Sequence, residues 1–181
     1  MKKFQIITSR VIPLPMKDVD TDMIIPAQYL TQTNKEGYGE ALFSGLKKQN
    51  ANFVFNQPQY REAKILLSES NFGCGSSREH AVWALMQAGI EVIIAESYSD
   101  IFFNNAAKNG LLLISMHKAA IDAFFKETEK KEGLILTVDL EQQNIRTLAG
   151  DSFHFAYDDF RKTCLLNGYE DMDYLLDATK Q

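Results

Sequence analysis

Ala63-Lys64-Ile65-Leu66-Leu67, Ile90-Glu91-Val92-Ile93-Ile94-Ala95 and Leu111-Leu112-Leu113-Ile114 are three short apolar runs separated by two longer periodic segments. The first of these, Arg78 to Ala88, carries Ala81, Val82, Leu85 and Met86 at i, i+1, i+4 and i+5 and stops at Gly89, which predicts an amphipathic helix with a glycine terminator. The second, Ser97 to Lys108, stops at Asn109-Gly110 and predicts another helix. Continuously apolar strands are covered on both faces, as parallel sheets require. Strand, helix, strand, helix, strand is a βαβαβ unit, and its crossovers are expected to be right-handed.

Outward from that unit the reading is less regular. Phe4 to Ile12 is strand-like and stops at Pro13-Leu14-Pro15, because each proline withdraws a ladder donor. Glu40 to Lys48 reads as a short helix, after a polar stretch from Thr31 to Gly39. On the other side, Lys118 to Glu129 reads as a helix, followed by three short strands at Leu134–Leu140, Asn144–Leu148 and Ser152–Phe155, with Gly150-Asp151 as a turn. Two helices, Asp158–Asn167 and Asp171–Lys180, follow. The expected fold is one α/β domain, with a parallel βαβαβ layer packed against a more antiparallel β layer.

Composition narrows the function classes. With 45% hydrophobic and 24% charged residues among 181, the chain is no disordered tail. Two cysteines, Cys74 and Cys164, cannot make a disulfide framework or hold an iron–sulfur cluster unaided. His80, His117 and His154 are far apart, so no metal-ligand spacing is present in the sequence. A net charge of -5 without a Lys/Arg block argues against nucleic-acid binding. No run approaches the ~18 apolar residues of a membrane span, nor does the N-terminal run match a signal segment, so the expected location is the cytoplasm.

The densest chemical signal is Ser70-Asn71-Phe72-Gly73-Cys74-Gly75-Ser76-Ser77-Arg78-Glu79-His80-Ala81, between a buried strand and a helix start. Open α/β sheets bind ligands at that position, beyond the carboxyl ends of the strands. Gly73 and Gly75 let the backbone approach a bound group, free helix amides favour an anion, and Arg78 offers a planar fork for a carboxylate or phosphate. A purely structural alternative stands beside this one: Ser76-x-x-Glu79 is a capping box, and both uses draw on the same amides. The glycine spacing fits neither a dinucleotide fingerprint, a Walker loop nor a nucleophile elbow. Cys74 is read as a small packed residue rather than a nucleophile, and His80 as a packing residue rather than a base. A second cluster, Asp18-Val19-Asp20-Thr21-Asp22, lacks the glycine and distal glutamate of a calcium loop and reads as a solvated turn.

Taken together, Asp20-Thr21-Asp22-Met23-Ile24-Ile25-Pro26 and the Asn71–Ala81 segment resemble the small subunits of the 3-isopropylmalate dehydratase (isopropylmalate isomerase) family, within the aconitase superfamily. The resemblance extends over nearly the whole chain. It implies an aconitase-type swivel domain of β/β/α three-layer architecture covering residues 1–181. It further implies a large-subunit partner that carries the four-iron–four-sulfur cluster on three cysteines, while this chain binds no cofactor or metal and closes over the site. The implied reaction is dehydration of 2-isopropylmalate to 2-isopropylmaleate and rehydration to 3-isopropylmalate, in leucine biosynthesis, with iron as Lewis acid.

The residue roles carried by the resemblance are specific. Ser76 matches the base that takes a proton from carbon; Ser77 and Arg78 match positions that hold a substrate carboxylate; Asp22 matches an active-site aspartate. Residues 31–39 match a mobile substrate-specificity loop that follows Gln28-Tyr29-Leu30. Relatives acting on substrates with an extra carboxylate tend to carry arginine after the Tyr-Leu pair. Thr31 stands there instead, consistent with an apolar isopropyl tail touching Leu30. Two alternatives remain beside this reading: a related hydro-lyase subunit of the homoaconitate or citraconate type, and a non-catalytic anion-binding module.

Overall fold

A computed structural model describes residues 1–31 and 35–180. Seven strands, β1 (Ile7–Pro13), β2 (Ile65–Leu67), β3 (Val92–Ala95), β4 (Leu112–Ser115), β5 (Ile135–Asp139), β6 (Asn144–Thr147) and β7 (Ser152–His154), lie in the order β4-β3-β2-β1-β5-β6-β7. The helices are α1 (Thr21–Ile24), α2 (Tyr38–Ala41), α3 (Ser44–Gln49), α4 (Glu79–Gln87), α5 (Asp100–Asn109), α6 (Lys118–Thr128), α7 (Asp159–Asn167) and α8 (Asp171–Ala178). Among the described residues no helix is long and apolar enough to cross a membrane.

The βαβαβ unit is present as β2-α4-β3-α5-β4, with all three strands parallel and adjacent. β1 joins the two halves of the sheet. Its Val11–Pro13 half runs parallel to Ile65–Leu67, and its Ile7–Arg10 half runs antiparallel to Ile135–Val138. The antiparallel strands are therefore continuous with the parallel ones through a shared strand, not a separate sheet laid upon them.

Layering follows from period-two alternation along the central strands. Leu66, Ile93 and Leu113 face one way and join a core with Leu42, Val82, Leu85, Phe102 and Ala106. Ile65, Leu67, Val92, Ile94, Leu112 and Ile114 face the other way and pack with Leu136, Val138 and Ile145 of β5 and β6. One face of the parallel strands thus meets α4 and α5, and the other meets β5 and β6 together with Ile121 and Phe124 of α6 and Leu165 of α7. Each fully buried aliphatic side chain stabilises this arrangement by about 1.5–3 kcal/mol relative to exposure.

Two local expectations are corrected. The single helix anticipated over Glu40–Lys48 is two short helices, α2 and α3, because Phe43 adopts a left-handed conformation (φ 51°) between them. The ring gained by that break is buried, 5.0 Å from Phe55 and 5.8 Å from Phe53, and the Phe43 N–H donates to the Ile24 carbonyl at 2.9 Å. The Asp18–Asp22 segment is not a simple solvated turn. Val19 and Thr21 point inward, at 0% and 2% exposure, while the carboxylates of Asp18, Asp20 and Asp22, which alternate with them, each take a partner. Of the anticipated loop at 31–39, residues 32–34 lie outside the described residues; Thr31 ends a 3-10 turn and Tyr38 begins α2.

Candidate active site

Three segments leave the carboxyl ends of β1, β2 and β3 side by side, and backbone hydrogen bonds tie them together. The Asp18 N–H donates to Ser70 O (3.0 Å), Gly73 N–H to Val19 O (2.7 Å) and Thr21 N–H to Cys74 O (3.0 Å). On the opposite flank, Phe72 N–H donates to Ser97 O (3.0 Å) and Ser99 N–H to Phe72 O (3.1 Å). The loop after β2 is therefore clamped on both sides. The post-β3 segment is itself anchored by Tyr98, whose buried hydroxyl donates to the carbonyls of Ile93 and Ile114 at 2.9 and 2.7 Å. Burial pushes that phenol well above its ordinary pKa, so it stays a donor.

Between the post-β2 loop and the first turn of α5 lies a cavity of about 280 Å³, lined by Thr21, Gly73, Gly75, Ser76–Arg78 and Ser99–Phe102. Ser76 and Ser77 are exposed on its wall. The N–H groups of Ser76, Ser77 and Arg78 have no acceptor among the described residues, so they are available to a negative charge. Opposite them, Ser99 caps α5: its Oγ accepts from Phe102 N–H at 3.3 Å and donates to Gly73 O at 2.8 Å.

The capping-box alternative for Ser76 is overturned. The N-cap of α4 is Arg78, in an extended conformation (φ -138°, ψ 107°) and with no side-chain cap. Glu79 does not reach back to a serine; its carboxylate accepts from Asn109 Nδ2 at 2.9 Å, bracing α4 against α5. The reason is a contact between residues distant in sequence. Thr21 Oγ1 donates to the Ser76 carbonyl at 2.8 Å, which holds Ser76 out of capping geometry and leaves its hydroxyl free.

The aspartate cluster surrounds this loop. Asp18 accepts from Asn71 Nδ2 at 2.8 Å, Asp20 caps α1 through Met23 N–H at 2.8 Å, and Asp22 forms an ion pair with Arg78 Nη1. The Arg78 side chain is only 18% exposed whereas that of Asp22 is 64% exposed, so the guanidinium is drawn inward and its partner faces solvent. A substrate carboxylate could replace a partner so placed at little cost, since solvent-facing ion pairs contribute about 0–1 kcal/mol.

Cys74 is not an activated nucleophile. Burial, together with the carboxylates of Asp20 and Asp18, pushes its thiol above the ordinary pKa, against the thiolate. His80 packs edge-on against Trp83 (4.9 Å) and Tyr38 (5.5 Å), in keeping with its reading as a packing residue.

A family model described as the aconitase C-terminal domain matches residues 1–119, and one described as LeuD_N matches residues 122–159. The 3-isopropylmalate dehydratase small subunit of Francisella philomiragia is 55% identical, with the alignment covering 100% of this chain and 96% of the relative. The chain belongs to the 3-isopropylmalate dehydratase small-subunit family. Another member, from Marinobacter nauticus, is 46% identical over 98% of this chain and 89% of its own. The solved structure of a 3-isopropylmalate dehydratase from Methanocaldococcus jannaschii superposes with a TM-score of 0.71 at 30% identity, covering 97% of this chain and 96% of that one.

Against that small-subunit family, the fold brings Ser76, Ser77 and Arg78 to one cavity, with Asp22 at its edge through Arg78. Leu30 does not line it; that side chain is half-buried against the helix-side core. Sequence reasoning missed Thr21 as a lining residue and the whole α5 wall. Ser99 followed by Asp100, just past a buried strand, is an N-cap signature that would have found the latter. Among the described residues, no group of three or more His, Cys, Asp or Glu could hold a metal ion.

Proposed function

We propose that this chain is the small subunit of a 3-isopropylmalate dehydratase, acting with a larger, cluster-bearing partner to interconvert 2- and 3-isopropylmalate through 2-isopropylmaleate in leucine biosynthesis. In this reading Ser76 takes the proton from substrate carbon. The C–H electron pair becomes the new double bond as the hydroxyl departs as water, its departure aided by the Lewis acid and the proton that the partner's half of the site would supply, and the reverse sequence at the neighbouring carbon gives the isomer. A serine hydroxyl is a weak acid, so its alkoxide needs stabilisation by the unpaired amides of residues 76–78, the positive end of α4 and Arg78. Arg78 and Ser77 hold a substrate carboxylate, and Asp22 keeps the guanidinium aimed until that carboxylate replaces it. Leu30 remains a contact for the alkyl tail only in the assembled, closed enzyme.

The observation that carries this reading is the condition of Ser76: exposed on the wall of a cavity lined by Ser77 and Arg78 as well, and committed to no cap. The direct test combines the chain with its partner and follows the absorbance of the unsaturated intermediate. Turnover of 2-isopropylmalate is expected, and none by either chain alone. Preference for homoaconitate or citraconate would reassign the substrate, and turnover by this chain alone would refute the two-chain site.

Arg78→Lys tests the carboxylate role. It keeps the charge but loses the bidentate fork, so kcat/KM should fall about tenfold to a hundredfold, the equivalent of one charge-assisted hydrogen bond. Wild-type kinetics in that variant would remove Arg78 from the substrate.

A further inference from the structure

Among the described residues, Thr21 is the one buried hydroxyl-bearing residue that both lines the cavity and reaches the loop carrying Ser76. It is 2% exposed and lies between Asp20, the cap of α1, and Asp22, the partner of Arg78. Its two bonds straddle Gly75: the backbone N–H donates to Cys74 O at 3.0 Å and Oγ1 donates to Ser76 O at 2.8 Å. Gly75 itself has φ +89°, so the chain turns sharply between the two points where Thr21 grips it. Without the second grip, nothing else among the described residues bonds the Ser76 carbonyl.

The consequence is directional. In a trans peptide the C=O and N–H vectors are opposed, so anchoring the Ser76 carbonyl on Thr21 turns the Ser77 N–H the other way. The same plane fixes ψ of Ser76 and hence the base from which its hydroxyl projects. On this basis, and resting on the assignment of Ser76 as the proton-abstracting group, we propose that Thr21 is a positioning residue for the dehydration step. It acts through the Ser76 carbonyl, sets the aim of the Ser76 hydroxyl and of the Ser77 amide, and does not itself touch the substrate.

The experiment uses the assembled two-subunit enzyme with 2-isopropylmalate. Thr21→Val keeps shape and β-branching but removes the donor; Thr21→Ser keeps the donor but removes the methyl. Thr21→Val should lower kcat about tenfold to a hundredfold with KM within about threefold, the cost expected of a small misplacement of a reacting group. Thr21→Ser should recover most of that loss. In a Ser76→Ala background, Thr21→Val should add nothing further, because the two residues act as a unit. A Thr21→Val enzyme with wild-type kcat overturns the proposal, as does a Thr21→Ser enzyme that fails equally, which would make the methyl's packing the cause. If Thr21→Val does not fold, the Thr21→Ser result and its Tm decide alone: full activity supports the hydroxyl, a parallel loss refutes it. Should Ser76→Ala itself be active, the base assignment fails; should Ser76→Ala be inactive and Thr21→Val normal, only the role of Thr21 fails.

Discussion

Ser76→Ala in the assembled enzyme should lower kcat by about a hundredfold to ten-thousandfold, the range in which a positioned proton-transfer group contributes. Stability should hardly move. A helix-capping serine would cost about 1 kcal/mol on replacement, but the cap position of α4 is occupied by Arg78, and Ser76 is exposed with no side-chain hydrogen bond within the described residues. The expected change is therefore that of an ordinary surface substitution, within about 0.5 kcal/mol, which for a chain of this size is about 1–2 °C in Tm. Steady-state kinetics beside a thermal melt separates the two effects. A variant that melts normally and turns over normally would favour the non-catalytic, anion-binding reading of this loop. One that loses activity only through a drop in Tm would restore the structural reading.

The parallel half of the molecule is legible in sequence because each of its strands is buried on both faces, which leaves short, unbroken apolar runs that alternate with longer periodic segments closed by glycine. β1 is harder. Its two halves serve different ladders, parallel from Val11 onward and antiparallel up to Arg10, and no property of a single strand encodes two partners. The break at Phe43 was hidden for another reason: a left-handed aromatic is disfavoured locally and is sustained here by tertiary burial between Phe53 and Phe55. At the site, Gly73, Ser76, Ser77 and Arg78 fall within one short segment, Gly73 to Arg78, and so are readable as a unit. Their contacts with Thr21, Asp22 and Ser99 cross 26 to 56 positions, and local pattern carries no trace of them. The same spacing explains the capping-box error. Ser76-x-x-Glu79 satisfies the local rule, yet Asn109 claims the Glu79 carboxylate, and Thr21 holds the Ser76 carbonyl while the Ser76 hydroxyl stays unpaired.

Gly73→Ala should be the most damaging single-methyl change in the site. Gly73 has φ +80°, a conformation that costs an L-residue about 1–2 kcal/mol. A Cβ placed there would also lie 2.2 Å from Cγ and 2.5 Å from Cδ1 of Phe102. That ring cannot swing aside into solvent: it is 3% exposed and packs edge-on against Phe72 at 5.5 Å. Overpacking of this kind adds about 1–3 kcal/mol, so the summed loss is about 2–5 kcal/mol, against a total stability of about 5–15 kcal/mol for an ordinary domain. Denaturant titration of the isolated chain reads it directly. The two causes are separable, because Phe102→Ala removes Cγ and Cδ1, the two atoms nearest the added methyl, and leaves the backbone strain untouched. Measured within a Phe102→Ala background, Gly73→Ala should cost less than in the wild-type chain by most of the steric share, and retain the conformational one. Both Gly73 and Phe102 line the cavity, and the Gly73 carbonyl receives the Ser99 hydroxyl, so whatever shift accommodates the methyl moves the wall facing Ser76. Gly73→Ala should therefore depress turnover even at temperatures where the chain remains folded. A Gly73→Ala chain within about 0.5 kcal/mol of wild type, the range of an ordinary surface substitution, would mean that the close seat of the post-β2 loop on α5 is not what shapes this site.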